Sequence, residues 1–191
     1  MRTDSDLLDA WRSGEARAGE ELVERHWSSL SRFFRSKVGD DGADLISQTF
    51  LACVEGRDRI QGPSAKPYLF AIARKKIADH YRHARRSPVL DLSTCSVVDL
   101  CTGPQTELGR RQEGALLHRA LERIPLDDQI ALELFYFEEL STRDVAAVLE
   151  IGENTVRSRL ARAREKLRGA LAELGPADEV ALAESVLVEK S

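Results

Sequence analysis

Apolar residues recur at three- and four-residue steps along most of this chain, and that spacing predicts helices almost throughout. Leu7, Leu8 and Trp11 share one helical face, and Leu22, Val23, Trp27, Leu30, Phe33 and Phe34 share the next. Gly39 and Gly42 interrupt the pattern, after which Asp44 precedes Leu45, Ile46, Phe50, Leu51 and Val54 at helical spacing. Gly56 closes that helix, and residues 57–66 form a loop containing Gly62 and Pro63. Pro67 belongs in the first turn of a further helix through Tyr68, Leu69, Ile72, Ile77 and Tyr81, because its missing N–H costs nothing there.

Periodicity then lapses. Pro88, Gly103 and Pro104 stand among Asp, Ser and Thr, so residues 88–107 read as a linker. It resumes with Leu116, Leu117, Leu121 and Ile124, stopped by Pro125, and continues through Leu132, Phe135 and Tyr136 in a helix that Asp127 and Asp128 can cap. No alternation of strand length and no internal repeat is visible. The expected fold is all-α: two small helical domains, 6–87 and 108–172, joined by a flexible linker, with an acidic tail over 173–191.

The sharpest local pattern lies between Leu140 and Leu171. Ser141 is a good N-cap with Asp144 three positions on, an acidic variant of the capping box. The short helix presents Val145, Val148 and Leu149 inward, and Ala146 is small enough for a close helix crossing. Glu150-Ile151-Gly152 supplies a turn in which Gly152 suits a positive φ. Asn154 or Thr155 can cap a second helix whose Val156, Leu160, Ala163 and Leu167 form one apolar stripe. Ser158, Arg159, Arg162 and Lys166 lie mainly off that stripe, with Arg157 and Arg164 flanking it, and Thr155 with the helix N-terminus can hold a phosphate. A short helix, a tight turn and a longer basic helix describe a helix-turn-helix, whose second helix enters a DNA groove.

Charge sharpens this picture. The 191 residues carry a formal net charge of -4, which by itself argues against nucleic acid. The distribution argues otherwise. Arg74, Lys75, Lys76, Arg82, Arg85 and Arg86 are opposed locally only by Asp79; Arg157, Arg159, Arg162, Arg164, Lys166 and Arg168 only by Glu165. Glu173, Asp178, Glu179, Glu184 and Glu189 gather in the tail. Two basic patches hide within an acidic mean. No apolar run approaches the roughly 18 residues of a membrane span, and no secretory leader is seen, so a cytoplasmic protein is expected. Cys53 reads as core. Cys95 and Cys101 lie in the linker at a spacing unsuited to zinc, and no metal or other cofactor is expected.

The run LDDQIALELFYFEELSTRDVAAVLEIGENTVRSRLARAREKLRGAL, from 126 to 171, closely resembles region 4 of the sigma-70 family, the domain that reads the -35 promoter element. DLISQTFL, from Asp44 to Leu51, resembles the family's polymerase-binding helix, which implies that Asp44, Ser47 and Gln48 contact the clamp of the β′ subunit. KPYLFAIARKKIADHYR, from Lys66 to Arg82, resembles the segments that engage and open the -10 element. That implies DNA contacts from Arg74, Lys75, Lys76, Tyr81, Arg82 and Arg85, although Tyr68 and Tyr81 suit core packing as well. Asp79 can serve as a structural partner for a nearby Arg. The loop 57–65 falls where small sigma factors capture an extruded base. For the -35 contact the resemblance points to Thr155, Arg157, Ser158, Arg159, Arg162 and Lys166. Large intervening regions of primary sigma factors are absent, which places the resemblance in the extracytoplasmic-function (ECF) group. It implies core RNA polymerase (β′ clamp and β flap), promoter DNA and an anti-sigma factor as partners, and no catalytic chemistry.

Two other readings are open at this point. A stand-alone helix-turn-helix regulator would need only the second half. A nuclease would need clustered carboxylates or a phosphate-binding glycine loop, and neither pattern is present. The tail, with Val180, Leu182, Val186 and Leu187 among its acids, reads as a frayed terminus or as an amphipathic segment folding back on a basic patch.

Overall fold

The computed structural model describes residues 2–85, 92–93, 95–97 and 115–175. Among these there are helices and turns and no strand, and the chain divides into two compact units, 1–86 and 87–191.

The first unit holds α1 (Asp4–Arg12), α2 (Ala16–Val38), α3 (Gly42–Glu55) and α4 (Lys66–Arg85). A capping box starts α1: the Thr3 hydroxyl accepts the Asp6 N–H, and the Asp6 carboxylate accepts the Thr3 N–H at 2.8 Å. Gly14, at φ +104°, turns the chain into α2, and Gly39, at φ +59°, ends that helix. Leu7, Leu8, Leu30, Phe34, Leu69, Phe70 and Ile77 are fully buried where the four helices meet. Phe33 sets its ring edge-on against Phe70 at 5.0 Å. Gly19 is required by a close approach, since a Cβ there would stand 2.6 Å from the indole nitrogen of Trp11.

The second unit comprises α5 (Ala115–Leu121), α6 (Leu126–Leu132), a π-helical turn (Glu133–Phe137), α7 (Thr142–Leu149) and α8 (Glu153–Leu174). Helix α8 packs against α5, α6 and α7 through Val156, Leu160, Ala163, Leu167 and Leu171, the stripe read from the sequence extended by one turn.

Several local expectations are corrected. Asp127 and Asp128 do not cap α6; Pro125 precedes it, and both acids sit buried in its first turn. Neither Asn154 nor Thr155 caps α8, whose N-cap is Gly152. That glycine has ordinary backbone (φ -69°), and the left-handed position of the turn falls to Glu150 at φ 58°, ψ 40°. Ser141 does cap α7, accepting the Asp144 N–H at 3.1 Å. Part of the expected linker is structured: Leu92 and Val97 are buried, and the carbonyls of Leu92 and Cys95 accept the N–H groups of Asp127 and Leu126 at 2.9 Å. Those amides are the orphan donors of a helix start, so the incoming strap completes α6.

Candidate nucleic-acid and polymerase interfaces

Ser141 and the left-handed Glu150 bracket α7, and Gly152 starts α8, so two helices cross through a tight turn. The Thr142 hydroxyl donates to Glu153 at 2.8 Å across the corner, and Arg157 reaches the same carboxylate oxygen at 2.6 Å. With Val156, Leu160, Ala163 and Leu167 turned inward, Asn154, Thr155, Arg157, Ser158, Ala161 and Arg162 are left exposed along the first two turns of α8. This face offers hydroxyls, an amide and two guanidinium groups, the donors that suit base edges and phosphates.

Two of the six residues expected at this contact behave differently. Arg159 is drawn back against the unit: its guanidinium lies 3.4 Å from Asp128 and 3.6 Å from Asp127, and its side chain is only 15% exposed. Lys166 donates to Asp128 at 2.6 Å, yet remains 47% exposed. One buried acid thus grips α8 at two points seven residues apart. Of the flanking arginines, Arg164 donates to the Tyr136 hydroxyl at 3.3 Å and Arg168 pairs with Glu165 at 2.6 Å.

In the first unit, Lys75 and Arg82 are exposed and Arg74 and Lys76 half-buried along α4, forming a cationic track. Asp79 pairs with Arg82, as its sequence position suggested. Tyr81 is no part of the track: it is buried, with its hydroxyl donating to the Lys37 carbonyl, so it anchors α4 to α2. The Arg85 side chain lies outside the described residues. Tyr68 is half-buried, its hydroxyl lodged against Gly56, where a Cβ would come within 2.0 Å.

Helix α3 carries two faces. Leu45, Ile46, Thr49, Phe50 and Cys53 point inward, and burial pushes the Cys53 thiol up to about 11, leaving it protonated. Asp44, Ser47, Leu51 and Val54 are exposed at steps of three, four and three, one straight stripe along the helix. Gln48 lies beside it and donates to Asp44 at 2.6 Å. Leu51 is 58% exposed, and Trp27 of α2, 47% exposed, stacks on Phe50 at 5.7 Å. Trp27, Leu51 and Val54 keep helical spacing with core residues yet are exposed, and they leave apolar surface next to the polar residues expected to bind polymerase. The three-four-three spacing held the signal, but it merged with the core stripe.

The geometry defines a two-unit helical protein with a helix-turn-helix in its second unit. Residues 22–87 match the family model for sigma-70 region 2, and residues 114–167 that for sigma-70 region 4. The ECF RNA polymerase sigma factor SigL of Mycobacterium tuberculosis is 30% identical over 168 residues, covering 85% of this chain and 94% of SigL. The RNA polymerase sigma-H factor of Pseudomonas aeruginosa is 28% identical over 181 residues, 88% of this chain and 93% of that protein. Among solved structures, CnrH in complex with the cytosolic domain of CnrY is similar at a TM-score of 0.66 and 25% identity, covering 90% of this chain and 99% of that one. The chain belongs to the sigma-70 family and is an RNA polymerase sigma factor of the ECF group, a transcription initiation factor. No described helix is long and apolar enough to cross a membrane.

Proposed function

We propose that this sigma factor brings core RNA polymerase to its promoters by dividing the work between its two units in the cytoplasm. The first unit binds the β′ clamp and opens the -10 element; the second binds the β flap and the -35 element. The observation that carries this reading is the presence of region 2 and region 4 segments together in one chain, since a stand-alone regulator needs only the second.

On the clamp side, Asp44, Ser47 and Gln48 supply polar contacts around Leu51, Val54 and Trp27. A straight three-four stripe is what a helix presents to another helix in a coiled-coil seam, so a helical surface on the polymerase fits it well. Arg74, Lys75, Lys76 and Arg82 hold the backbone of the separated strand, with loop 57–65 receiving an unstacked base. In the major groove, Thr155, Arg157, Ser158 and Arg162 face the DNA. Arg159 acts from behind them, and Lys166 divides its charge between Asp128 and a phosphate. Once one unit is engaged, the connecting chain makes binding of the other intramolecular, so two modest interfaces suffice. The polymerase supplies all bond-making chemistry, and this chain has none of its own. An anti-sigma factor that covers both units is the expected regulator; the similar structure of CnrH holds it in complex with the cytosolic domain of CnrY.

The test is transcription by core polymerase on a genomic template with and without this protein, with start sites mapped. Transcripts that start at a shared promoter sequence only when the protein is present are expected. DNA binding without any polymerase-dependent transcript would overturn the reading.

A further inference from the structure

We propose that α1 is the positioning platform for loop 57–65, with Asp4 as its principal positioning residue, and that it presets this loop to receive an unstacked base of the -10 strand. The inference rests on the promoter-opening reading above. It concerns residues upstream of the segment that matches region 2, which begins at residue 22.

The loop is fastened at both feet to one short helix. At its far end, the Asp4 carboxylate accepts the Ser64 hydroxyl at 2.9 Å and the Ala65 N–H at 3.3 Å. Ser64 in turn accepts the Lys66 N–H at 3.2 Å and so starts α4. At its near end, Arg12 donates to the Ile60 carbonyl at 2.5 Å, and the Arg57 guanidinium lies 6.0 Å from the Trp11 ring. Eight residues of helix separate Asp4 from Arg12, about 12 Å of rigid rod between the two fastenings. Ile60 and Ala65 are buried, whereas Gln61, Gly62 and Pro63 stand exposed between them. The result is a hoop with fixed feet and an open tip.

Asp4 is itself held. Arg25 donates to its other oxygen at 2.9 Å and to the Arg2 carbonyl at 2.8 Å, and His26 lies 2.9 Å from the carboxylate. Burial opposes the Asp4 charge, but His26 and the hydrogen bonds from Ser64, Arg25 and His26 outweigh it and keep the carboxyl below the usual carboxylate range. Burial also keeps the His26 imidazole below its usual value, against the pull of Asp4. A loop so fastened has already lost the conformational freedom that capture of a base would otherwise remove.

The experiment uses full-length protein with core polymerase and forked promoter fragments taken from a mapped promoter. Each fragment has one base of the single-stranded -10 segment replaced by an abasic residue. For the wild type, one position is expected to cost about tenfold in affinity, the loss of a stacked or pocketed base. In Asp4→Asn and in Ser64→Ala that same position should cost less than about twofold, with the penalties at other positions and at the -35 element unchanged. Ser64→Ala leaves Asp4 with Arg25, His26 and the Ala65 N–H, so it removes the side-chain contact to the loop even if Asp4→Asn perturbs folding. An undiminished penalty in Ser64→Ala and Arg12→Gln would overturn the inference while leaving the promoter-opening reading intact. A uniform loss at every position would also overturn it, as a merely structural effect. No abasic penalty in the wild type would overturn the promoter-opening reading and this inference with it.

Discussion

Each unit fixes the element proposed to face DNA with an enclosed carboxylate, half-buried Asp4 in the first and buried Asp128 in the second, but the two grip different things. Asp4 holds a hydroxyl and a backbone amide of loop 57–65 and pairs with none of Arg74, Lys75, Lys76 or Arg82 of α4. Asp128, with Asp127, holds Arg159 and Lys166, which belong to α8, the helix proposed to enter the DNA groove. In the first unit the acid shapes the site and leaves its charge untouched. In the second it takes one full cation and part of another out of the site in exchange for a fixed rotation of α8. A basic helix is therefore a poor count of DNA contacts; what matters is which basic residues remain after the protein's own acids are matched.

The strongest way to break this comparison is Asp128→Ala, which removes the nearer of the two carboxylates on the enclosed Arg159 and leaves it with Asp127 alone. A loss of about 3 kcal/mol is expected for the second unit, as for other buried pairs cut on one side, with Lys166 adding little because of its exposure. Both tryptophans, Trp11 and Trp27, lie in the first unit. Urea unfolding followed by circular dichroism should therefore shift, and the transition followed by tryptophan fluorescence should not.

A smaller effect sharpens the division of labour on α8. Arg162→Ala should cost about 1–3 kcal/mol in binding to the native -35 sequence, concentrated at one base position, without lowering stability. Arg159→Ala should lower stability and weaken binding to all -35 variants alike. Competition binding over a set of single-base -35 substitutions, alongside melting curves, separates the two patterns; a base-specific defect in Arg159→Ala would return it to the readers.

Smaller again is Glu150→Gly. A left-handed backbone costs a residue with a Cβ about 1 kcal/mol, partly offset by the greater freedom of glycine in the unfolded chain, so a gain of roughly 0.5 kcal/mol is expected. It should appear in circular dichroism alone. The smallest effect is in the first unit and depends on pH. His26 is buried and faces Asp4 from α1, Lys66 from α4 and Arg25 on its own helix, and its pKa in the folded chain lies below the usual value near 6.5. The unfolded chain takes up this proton first, so stability present above about pH 6.5 declines as pH falls toward the folded value. The fluorescence-detected midpoint should drop between pH 7.5 and 5.5, and His26→Gln should flatten that drop.

Much of the architecture was legible because it is local. The Ser141 cap, the Pro67 start and the stripe from Val156 to Leu167 each depend on residues within a turn or two. The errors share a different origin. Periodicity fixes the phase of a face but not the neighbour that covers it, so Trp27, Leu51 and Val54 keep step with a core that ends before reaching them. Tyr81 meets the Lys37 carbonyl, 44 residues away, and Arg159 meets Asp128, 31 residues away. Nothing in the local pattern marks either partner. At the turn, the sequence marks Gly152 for the left-handed position, whereas the backbone takes it two residues earlier, at Glu150.

The strap over residues 92–97 bears on how the second half can be handled alone. A fragment cut at residue 108, where the sequence suggests a clean start, would strip Leu92 and Val97 from the hydrophobic interior and leave the Leu126 and Asp127 amides without acceptors. Such a piece would under-report the affinity of the second unit for the -35 DNA proposed as its target, and a faithful excision must begin ahead of Leu92.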